Sequence, residues 1–313
     1  MAAQFWETTA GEYRADSSLS QSKIKDFLRD PQQFYRQHVA RTEPHKPPTK
    51  AMIFGTDVER LAFYGSLPAM VIPQDVLNAQ GHRKGAAWTQ WEAAQIAQHG
   101  PDMKLLKAEE FADVCGPIMQ AVEGLRSHQW ANEFMFGGGA VRHVRMRWVD
   151  EITGLPCKCE LDMLHLNNII ADLKTARDVT VTGFQRQVLQ LGYYIQGWFY
   201  REALRRIAQF IDQQPDCEMA RQCRPILERV LDNEPPLFCW IAVKNNPSYH
   251  TEVHPADDDW YSLAEPIVRQ AMAEIKRCYE TGRWQTSTHG TITNMKCPKF
   301  AFNILEELLA GDE

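Results

Sequence analysis

Residues 156–194 read PCKCELDMLHLNNIIADLKTARDVTVTGFQRQVLQLGYY, and two short apolar runs in this stretch each carry an acid. Side chains alternate between the two faces of a β-strand. In the first run this alternation places Lys158, Glu160 and Asp162 on one face. The opposite face takes the apolar side chains of Cys157, Cys159, Leu161 and Met163. The first run is therefore predicted to be a strand with one charged face and one buried face.

The second run, IIADLKT at residues 169–175, repeats the alternation. Asp172 and Lys174 share one face, and the other face carries Ile169, Ala171 and Leu173. If the two runs pair as a hairpin around residues 165–168, then Asp162, Asp172 and Lys174 converge on one side of a sheet. Two carboxylates form a hard oxygen site for a divalent cation, and the ammonium beside them can orient or deprotonate a water.

This pattern, an acid followed after about ten residues by Asp-x-Lys, resembles the PD-(D/E)XK nuclease superfamily. Gln190 and Tyr194 then resemble the Gln-x-x-x-Tyr element that follows Asp-x-Lys in the RecB-like and RecE-like branches. Further pieces resemble RecE-type exonuclease (exodeoxyribonuclease VIII-like) domains, and these are Leu19-Ser20-x-Ser22, Pro31-x-x-Phe34-Tyr35, Phe54-Gly55-Thr56, Lys84-Gly85-x-x-Trp88 and Thr153-Gly154-x-Pro156-Cys157-Lys158. The ordered set covers roughly residues 17–200 and is far more specific than Asp-x-Lys alone.

The resemblance implies a role for each member of the site. Mg²⁺, for which Mn²⁺ can substitute, would be held as one or two ions by Asp162, Asp172, the Leu173 carbonyl and Glu59. Lys174 would position or deprotonate the attacking water and stabilise the developing charge. The side chains that would contact the substrate strand are those of Gln187, Gln190 and Tyr194.

Glu59 has a second interpretation. Relatives carry a His near this position, and a carboxylate is equally able to bind Mg²⁺. However, Thr56-x-x-Glu59 at a helix start is also the pattern of a capping box, in which Glu59 would bond back to the Thr56 amide. His143 leaves a similar choice, because relatives often carry an acid near its position, whereas a lone His on a strand is more often a surface or hydrogen-bonded residue.

The remaining pattern predicts an α/β fold with a PD-(D/E)XK, restriction-endonuclease-like core. Strands are predicted at 140–150, 157–165, 168–174, 237–243 and 249–253, and long helices between them favour a mixed central sheet flanked by helices on both faces. One helix is predicted from Thr182 to Ala208, and another from about Lys299. All 313 residues are assigned to a single nuclease domain. Within this domain, residues 1–50 are predicted to form an N-terminal arm, irregular over residues 1–18, followed by short helices. Residues 51–200 form the catalytic core, and residues 201–313 complete the fold.

Composition narrows the class of protein. With 44% hydrophobic residues the chain can fill a core, and it has neither a long uninterrupted apolar run nor the start of a signal peptide, so we expect a cytoplasmic protein without membrane association. The formal charge of −6 excludes a broadly basic nucleic-acid coat but not a basic groove. The eight cysteines form no C-x-x-C pair, and Cys278 and Cys297 alone do not make an iron–sulfur cluster, so none is expected.

The resemblance implies an exonuclease that degrades linear double-stranded DNA from its ends, 5′ to 3′, and serves phage or prophage recombination with a single-strand annealing protein. Like lambda-type enzymes, it would form a homo-oligomeric ring, a trimer or tetramer. One alternative is a PD-(D/E)XK nuclease of other specificity, such as a structure-specific endonuclease or a defence nuclease. Another is an inactive relative that only binds DNA or protein, although such a module has no need for the acid–acid–lysine set.

Overall fold

The computed structural model describes residues 3–44, 46–100, 103–214 and 217–285. Its strands are β1 (Gln4–Phe5), β2 (Ala69–Val71), β3 (Lys104–Leu106), β4 (Ala140–Val149), β5 (Pro156–His165), β6 (Ile169–Ala176), β7 (Leu237–Lys244) and β8 (Thr251–Pro255). Its α-helices are α1 (Ala10–Ala15), α2 (Gln21–Arg29), α3 (Pro31–Phe34), α4 (Lys50–Tyr64), α5 (Ala86–His99), α6 (Ala108–Ser127), α7 (Gln129–Phe136), α8 (Val181–Leu191), α9 (Tyr193–Ala208), α10 (Glu218–Leu231) and α11 (Asp258–Thr281). The helix predicted from Lys299, and Cys297 before it, lie outside the described residues.

Six strands form one sheet in the order β1-β4-β5-β6-β7-β8. β6 and β7 run parallel, and the other neighbours run antiparallel. The prediction of a mixed central sheet is therefore confirmed. β2 and β3 form a separate parallel pair.

Helices cover both faces of this sheet, as predicted. On one face the buried core joins the sheet to α2, α8, α9, α10 and α11, with contributions that include Ile24, Phe184, Leu204, Ile226 and Val268. On the other face the core joins the sheet to α4, α6 and α7, with Val58, Leu125 and Met135 among its members. The middle strands are buried on both faces, so the polar groups placed there are held in a poorly solvated environment.

The prediction that residues 1–18 are irregular is wrong. Gln4 and Phe5 add a short edge strand that pairs with β4, and Phe5 reaches the core. α1 then begins after Thr9, whose side chain accepts a hydrogen bond from the Glu12 amide while Glu12 bonds back to the Thr9 amide. The signal for this helix was a capping box, Thr-x-x-Glu.

The single helix predicted from Thr182 to Ala208 is also wrong, because Gly192 divides it into α8 and α9. Gly192 has a φ of +64°, a left-handed conformation that ends α8 and that glycine adopts at little cost. Thr180 caps the start of α8 by accepting a hydrogen bond from the Gly183 amide. The break changes the direction in which every side chain after Leu191 projects.

None of the helices described above combines the length and the apolar character that a membrane span requires.

Candidate active site

β5 and β6 form the predicted hairpin, but their pairing stops at the two acids. The ladder joins His165 to Ile169 and ends at the pair of Met163 and Ala171. This register puts Asp162 opposite Asp172. There the Asp162 carboxylate accepts a hydrogen bond from the Leu173 amide at 3.0 Å. A side chain therefore replaces the strand carbonyl that would otherwise bond this amide, and the two strands separate where the acids lie.

The same point interrupts the alternation of side chains along β5. Leu161 packs in the core on one face, whereas Met163 packs in the core on the other, so the prediction that these two share a face is wrong. On the neighbouring β4, His143 stands opposite Asp162 without a ladder pair and has a φ of +51°. A distortion of this kind re-aims the side chains that follow it.

Asp172 is fully buried and makes two polar contacts. One carboxylate oxygen contacts the Lys174 ammonium, as the shared face predicted. The other accepts a hydrogen bond from the side-chain amide of Gln196 in α9. The same amide donates to the hydroxyl of buried Tyr200 at 2.9 Å. These contacts fix the orientation of the carboxylate.

Glu59 lies within α4 and not at its start. The helix begins at Lys50, and Thr49 caps it by accepting a hydrogen bond from the Met52 amide. Thr56 is already helical, so the capping-box interpretation of Thr56 and Glu59 is wrong. Glu59 is instead half-buried and faces the acids of the sheet.

Two cavities meet at Glu59. The first, called here the lysine-side cavity, measures about 730 Å³ and is lined by Glu59, Leu173, Lys174, Arg177, Arg186, Gln187, Gln190 and Tyr193, among others. The second, called here the serine-side cavity, measures about 610 Å³ and is lined by Glu59, Asp162, Ser20, Ser22, Lys23, Lys158, Glu160 and Tyr200, among others. The cations of the lysine-side cavity can accommodate phosphate groups, whereas Lys23 and Lys158 of the serine-side cavity already donate to backbone carbonyls.

The residues predicted to contact the substrate strand are only partly brought together. Gln187 and Gln190 of α8 line the lysine-side cavity. Tyr194 does not line it, because its ring packs on Trp260 with centroids 6.3 Å apart. Tyr193 takes that place, with the Lys174 ammonium 4.9 Å from its ring centroid. The turn at Gly192 accounts for this exchange of neighbouring tyrosines.

Gln196 and Tyr200 were missed, although the sequence contained a signal for them. They repeat the Gln-x-x-x-Tyr spacing of Gln190 and Tyr194 slightly further along the chain. Since Gly192 directs α9 across the sheet, the second pair reaches Asp172 and the first does not. The glycine inside this long helical pattern, Gly192, indicated that the helix could end there and its register change.

The electrostatics of the acids reflect their burial. Burial raises the pKa of Asp162 well above its ordinary value, the Asp172 carboxylate adds to the rise, and the Lys174 ammonium opposes it. Burial also raises the pKa of Glu59. The Asp172 carboxylate adds to this rise, and His143 opposes it. For Lys174, burial lowers the pKa, but the Asp172 and Asp162 carboxylates outweigh burial and raise it overall.

His143 and Glu160 form a bonded pair beside these acids. The two His143 ring nitrogens lie 3.1 Å from Glu160 Oε1 and 2.9 Å from the Tyr64 hydroxyl, which favours the hydrogen-bonded interpretation of this residue. Burial alone would raise the pKa of Glu160, yet hydrogen bonds from His143 and Arg145 lower it to about 2. Glu160 is thus held ionised by its own partners.

The donor chemistry fits a hard divalent cation. Across residues 3–44, 46–100, 103–214 and 217–285, no three His, Cys, Asp or Glu side chains stand close enough to enclose a metal ion as they are. The carboxylates of Glu59, Asp162 and Asp172 nevertheless interact with one another, and this repulsion helps to raise the pKa of the first two. A divalent cation would offset that repulsion with the oxygen ligands it prefers.

Comparison with known proteins agrees with this geometry. Residues 20–220 match the family described as a PDDEXK-like domain of unknown function (DUF3799). A crystal structure of a protein from Eubacterium rectale, described as a "putative exonuclease", has a TM-score of 0.55 and 16% sequence identity, and the match covers 95% of this chain and 98% of that one. At this identity the likeness shows a shared fold. Comparison with curated proteins finds no match.

Proposed function

We propose that this chain, which belongs to the family of PDDEXK-like domains, is a metal-dependent exonuclease that hydrolyses phosphodiester bonds of linear double-stranded DNA from the 5′ end. The observation that carries the proposal is the contact of Lys174 with the buried Asp172, directly opposite Asp162 at the point where β5 and β6 separate. The shared fold with the Eubacterium rectale protein supports the exonuclease assignment.

Different residues of the chain would bind the metal ion and orient its ligands in such a reaction. Asp162, Asp172, the Leu173 carbonyl and Glu59 would hold Mg²⁺ or Mn²⁺. When bound, the ion would polarise the phosphodiester and make a water more acidic. Gln196 keeps the Asp172 carboxylate in a fixed orientation, because its amide donates to that carboxylate and packs in the core.

Lys174 is in direct contact with one of the acids, Asp172. Its ammonium is held between the Asp172 carboxylate and the Tyr193 ring, at the wall of the lysine-side cavity. From there it would position the attacking water and stabilise the charge that develops on the phosphate. Arg177 and Arg186 of the same cavity would bind neighbouring phosphates and hold the strand in register.

The activity is tested with linear duplex DNA labelled at the 5′ or the 3′ end. We expect degradation with Mg²⁺ or Mn²⁺ and none with Ca²⁺ or chelator, because Ca²⁺ fills an oxygen site without enforcing tight octahedral geometry. Early release of the 5′ label alone supports the proposed direction. Equal degradation in chelator would refute metal dependence, and cutting of covalently closed circles would favour a structure-specific endonuclease.

The biological setting and assembly belong to the same proposal and rest on the resemblance to RecE-type enzymes. We propose a homo-oligomeric ring acting with a single-strand annealing protein in phage or prophage recombination. Sedimentation of the purified protein together with a processivity assay tests the ring. An active monomer that releases DNA after each cut would contradict it.

A further inference from the structure

Lys25 of α2 lies beside the candidate active site, yet the proposed mechanism gives it no role. Its ammonium is 5.5 Å from the Tyr193 ring centroid, and the Lys174 ammonium is 4.9 Å from the same ring. Two ammonium groups therefore share one phenol ring at the wall of the lysine-side cavity. One of them belongs to the Asp-x-Lys motif, and the other comes from a distant part of the chain.

The break at Gly192 makes room for this second lysine. A Cβ atom at Gly192 would stand 3.0 Å from Cδ and 3.3 Å from Cγ of Lys25. The stem of Lys25 thus passes over the glycine that separates α8 from α9, close against its backbone. The same glycine brings Tyr193 to the cavity, so one turn positions both the ring and the passage for the lysine.

The two lysines differ in their counter-charges. Lys174 contacts the Asp172 carboxylate. Within the described ranges, Lys25 has no carboxylate within ion-pair distance. The pKa of Lys25 is lowered to about 8, mainly by burial; the charge of Lys174 contributes to the lowering, and the Asp172 carboxylate opposes it. A half-buried ammonium next to a like charge is unfavourable unless an anion joins it.

We propose that this anion is a phosphate of the substrate strand, and that Lys25 contacts one of its non-bridging oxygens beside Lys174. The inference rests on the proposed nuclease function and adds a substrate contact from α2 to it. A phosphodiester fits because its negative charge would serve as the counter-charge of the Lys25 ammonium. It also has to approach the cavity wall that Lys174 and Tyr193 form, and Lys25 lies against the same Tyr193 ring.

Three variants isolate the charge of Lys25. Lys25→Met keeps an unbranched stem against Gly192 and removes the ammonium, and Lys25→Arg keeps a cation. The matched control is Arg29→Met on the same helix, since the Arg29 side chain is 67% exposed and pairs only loosely with Asp26 at 3.6 Å. Circular dichroism and thermal melts establish that each variant is folded.

Binding of linear duplex DNA is measured with Ca²⁺ over a range of salt concentrations, and single-turnover cleavage is measured with Mg²⁺. Loss of one phosphate contact should reduce the slope of log K against log salt by about 0.7–0.9 in Lys25→Met. Cleavage should fall about 10- to 100-fold, as expected for a hydrogen bond to a charged group. Lys25→Arg should restore the slope, and Arg29→Met should leave slope and rate unchanged. A folded Lys25→Met protein with the wild-type slope would overturn the proposal.

A measurement on wild-type protein covers the case in which Lys25→Met does not fold. Lysines are acetylated at pH 8 with and without DNA and quantified by mass spectrometry, with exposed Lys276 as the internal control. DNA should protect Lys25 and leave Lys276 unchanged; equal modification of Lys25 in both samples would overturn the contact. Wild-type protein that neither binds nor cuts DNA would instead refute the proposed function itself.

Discussion

The side-chain amide of Gln196 in α9 donates a hydrogen bond to the carboxylate of Asp172 in β6, and both residues are buried. This bond ties the helix that follows the Gly192 turn to the central acid of the candidate site. The sequence contains two Gln-x-x-x-Tyr pairs with the same spacing, Gln190 with Tyr194 and Gln196 with Tyr200. This bond shows that the second pair is the one that reaches Asp172.

Gln196→Leu is therefore expected to reduce activity although Gln196 lines neither cavity. The change leaves one Asp172 oxygen without its donor, and loss of a residue that orients a metal ligand typically costs about 10- to 100-fold in activity or metal affinity. Tyr194→Phe should have no effect, because that ring packs on Trp260 away from the cavity. Cleavage rates and Mn²⁺ titrations of both variants decide the matter. Loss of activity in Tyr194→Phe with a fully active Gln196→Leu would restore the assignment made from sequence.

Lys174→Ala should separate cleavage from binding. Removing the cation beside the attacking water is expected to lower the cleavage rate by about 10²- to 10⁴-fold. Asp162 and Asp172 remain, so DNA binding in the presence of metal should persist. The metal-free variant should be less stable than wild type, since Asp172 loses the ammonium that it contacts.

The control for this variant is Lys276→Ala, because the Lys276 side chain is 44% exposed and pairs with Glu280 at 3.8 Å. Asp172→Ala should abolish cleavage and weaken metal binding as well. Full activity in Lys174→Ala would refute the whole mechanism.

Glu59→Gln tests the third carboxylate. The position of Glu59 in the middle of α4 removes helix capping as an explanation for any effect. If Glu59 is a ligand, activity with Mg²⁺ should fall sharply, and excess Mn²⁺ should restore part of it because Mn²⁺ binds nitrogen and oxygen sites more tightly. Glu109→Gln, on an exposed turn of α6, is the control. An unchanged Mg²⁺ titration in Glu59→Gln would remove this residue from the site.

Asp162 should make the metal-free protein less stable as pH rises, and Asp162→Asn should remove that contribution. The folded-state pKa of Asp162 is raised by burial and by Asp172, so the folded state binds more protons than the unfolded one above the ordinary carboxyl value of about 4. Stability is then lost from that pH upward until the raised pKa is passed. Asp162→Asn, which mimics the neutral form, should melt at a higher temperature than wild type at pH 8 without metal, and Mg²⁺ should stabilise it less.

Glu160→Gln provides a control of opposite sign on the same strand. The pKa of Glu160 is lowered to about 2, chiefly by its hydrogen bonds, so its ionised form stabilises the fold at all higher pH values. Neutralising it should lower the melting temperature at pH 8. Melts of the two variants that shift in the same direction would contradict this account of the site's electrostatics.

Alternation within two short runs was enough to predict the β5–β6 hairpin, because side-chain parity is a local property of a strand. It also placed Asp172 and Lys174 in contact. Parity could not predict the separation of the strands at Asp162, which stands opposite a distortion at His143 in a third strand. The parallel pairing of β6 with β7 likewise joins segments that are far apart in the chain.

The helical part of the site was less predictable for a similar reason. A stripe of side chains can be followed along a helix only while its register continues, and Gly192 ends that register between Gln190 and Tyr194. Tyr193, Gln196 and Lys25 are brought to the acids by the packing of α2 and α9 around this turn. The spacing of residues along the sequence does not indicate that these side chains lie close to the acids.

The bond between the Leu173 amide and the Asp162 carboxylate gives the site a built-in reporter. Neighbouring amides of the sheet are protected from deuterium by strand carbonyls, whereas this one depends on a side chain that an incoming cation would compete for. Its exchange rate should therefore respond to Mg²⁺ while amides within the ladder, such as those of Ile170 and Ala171, keep theirs. A single resonance, followed by exchange spectroscopy, would register occupancy of the acids before any DNA is cut.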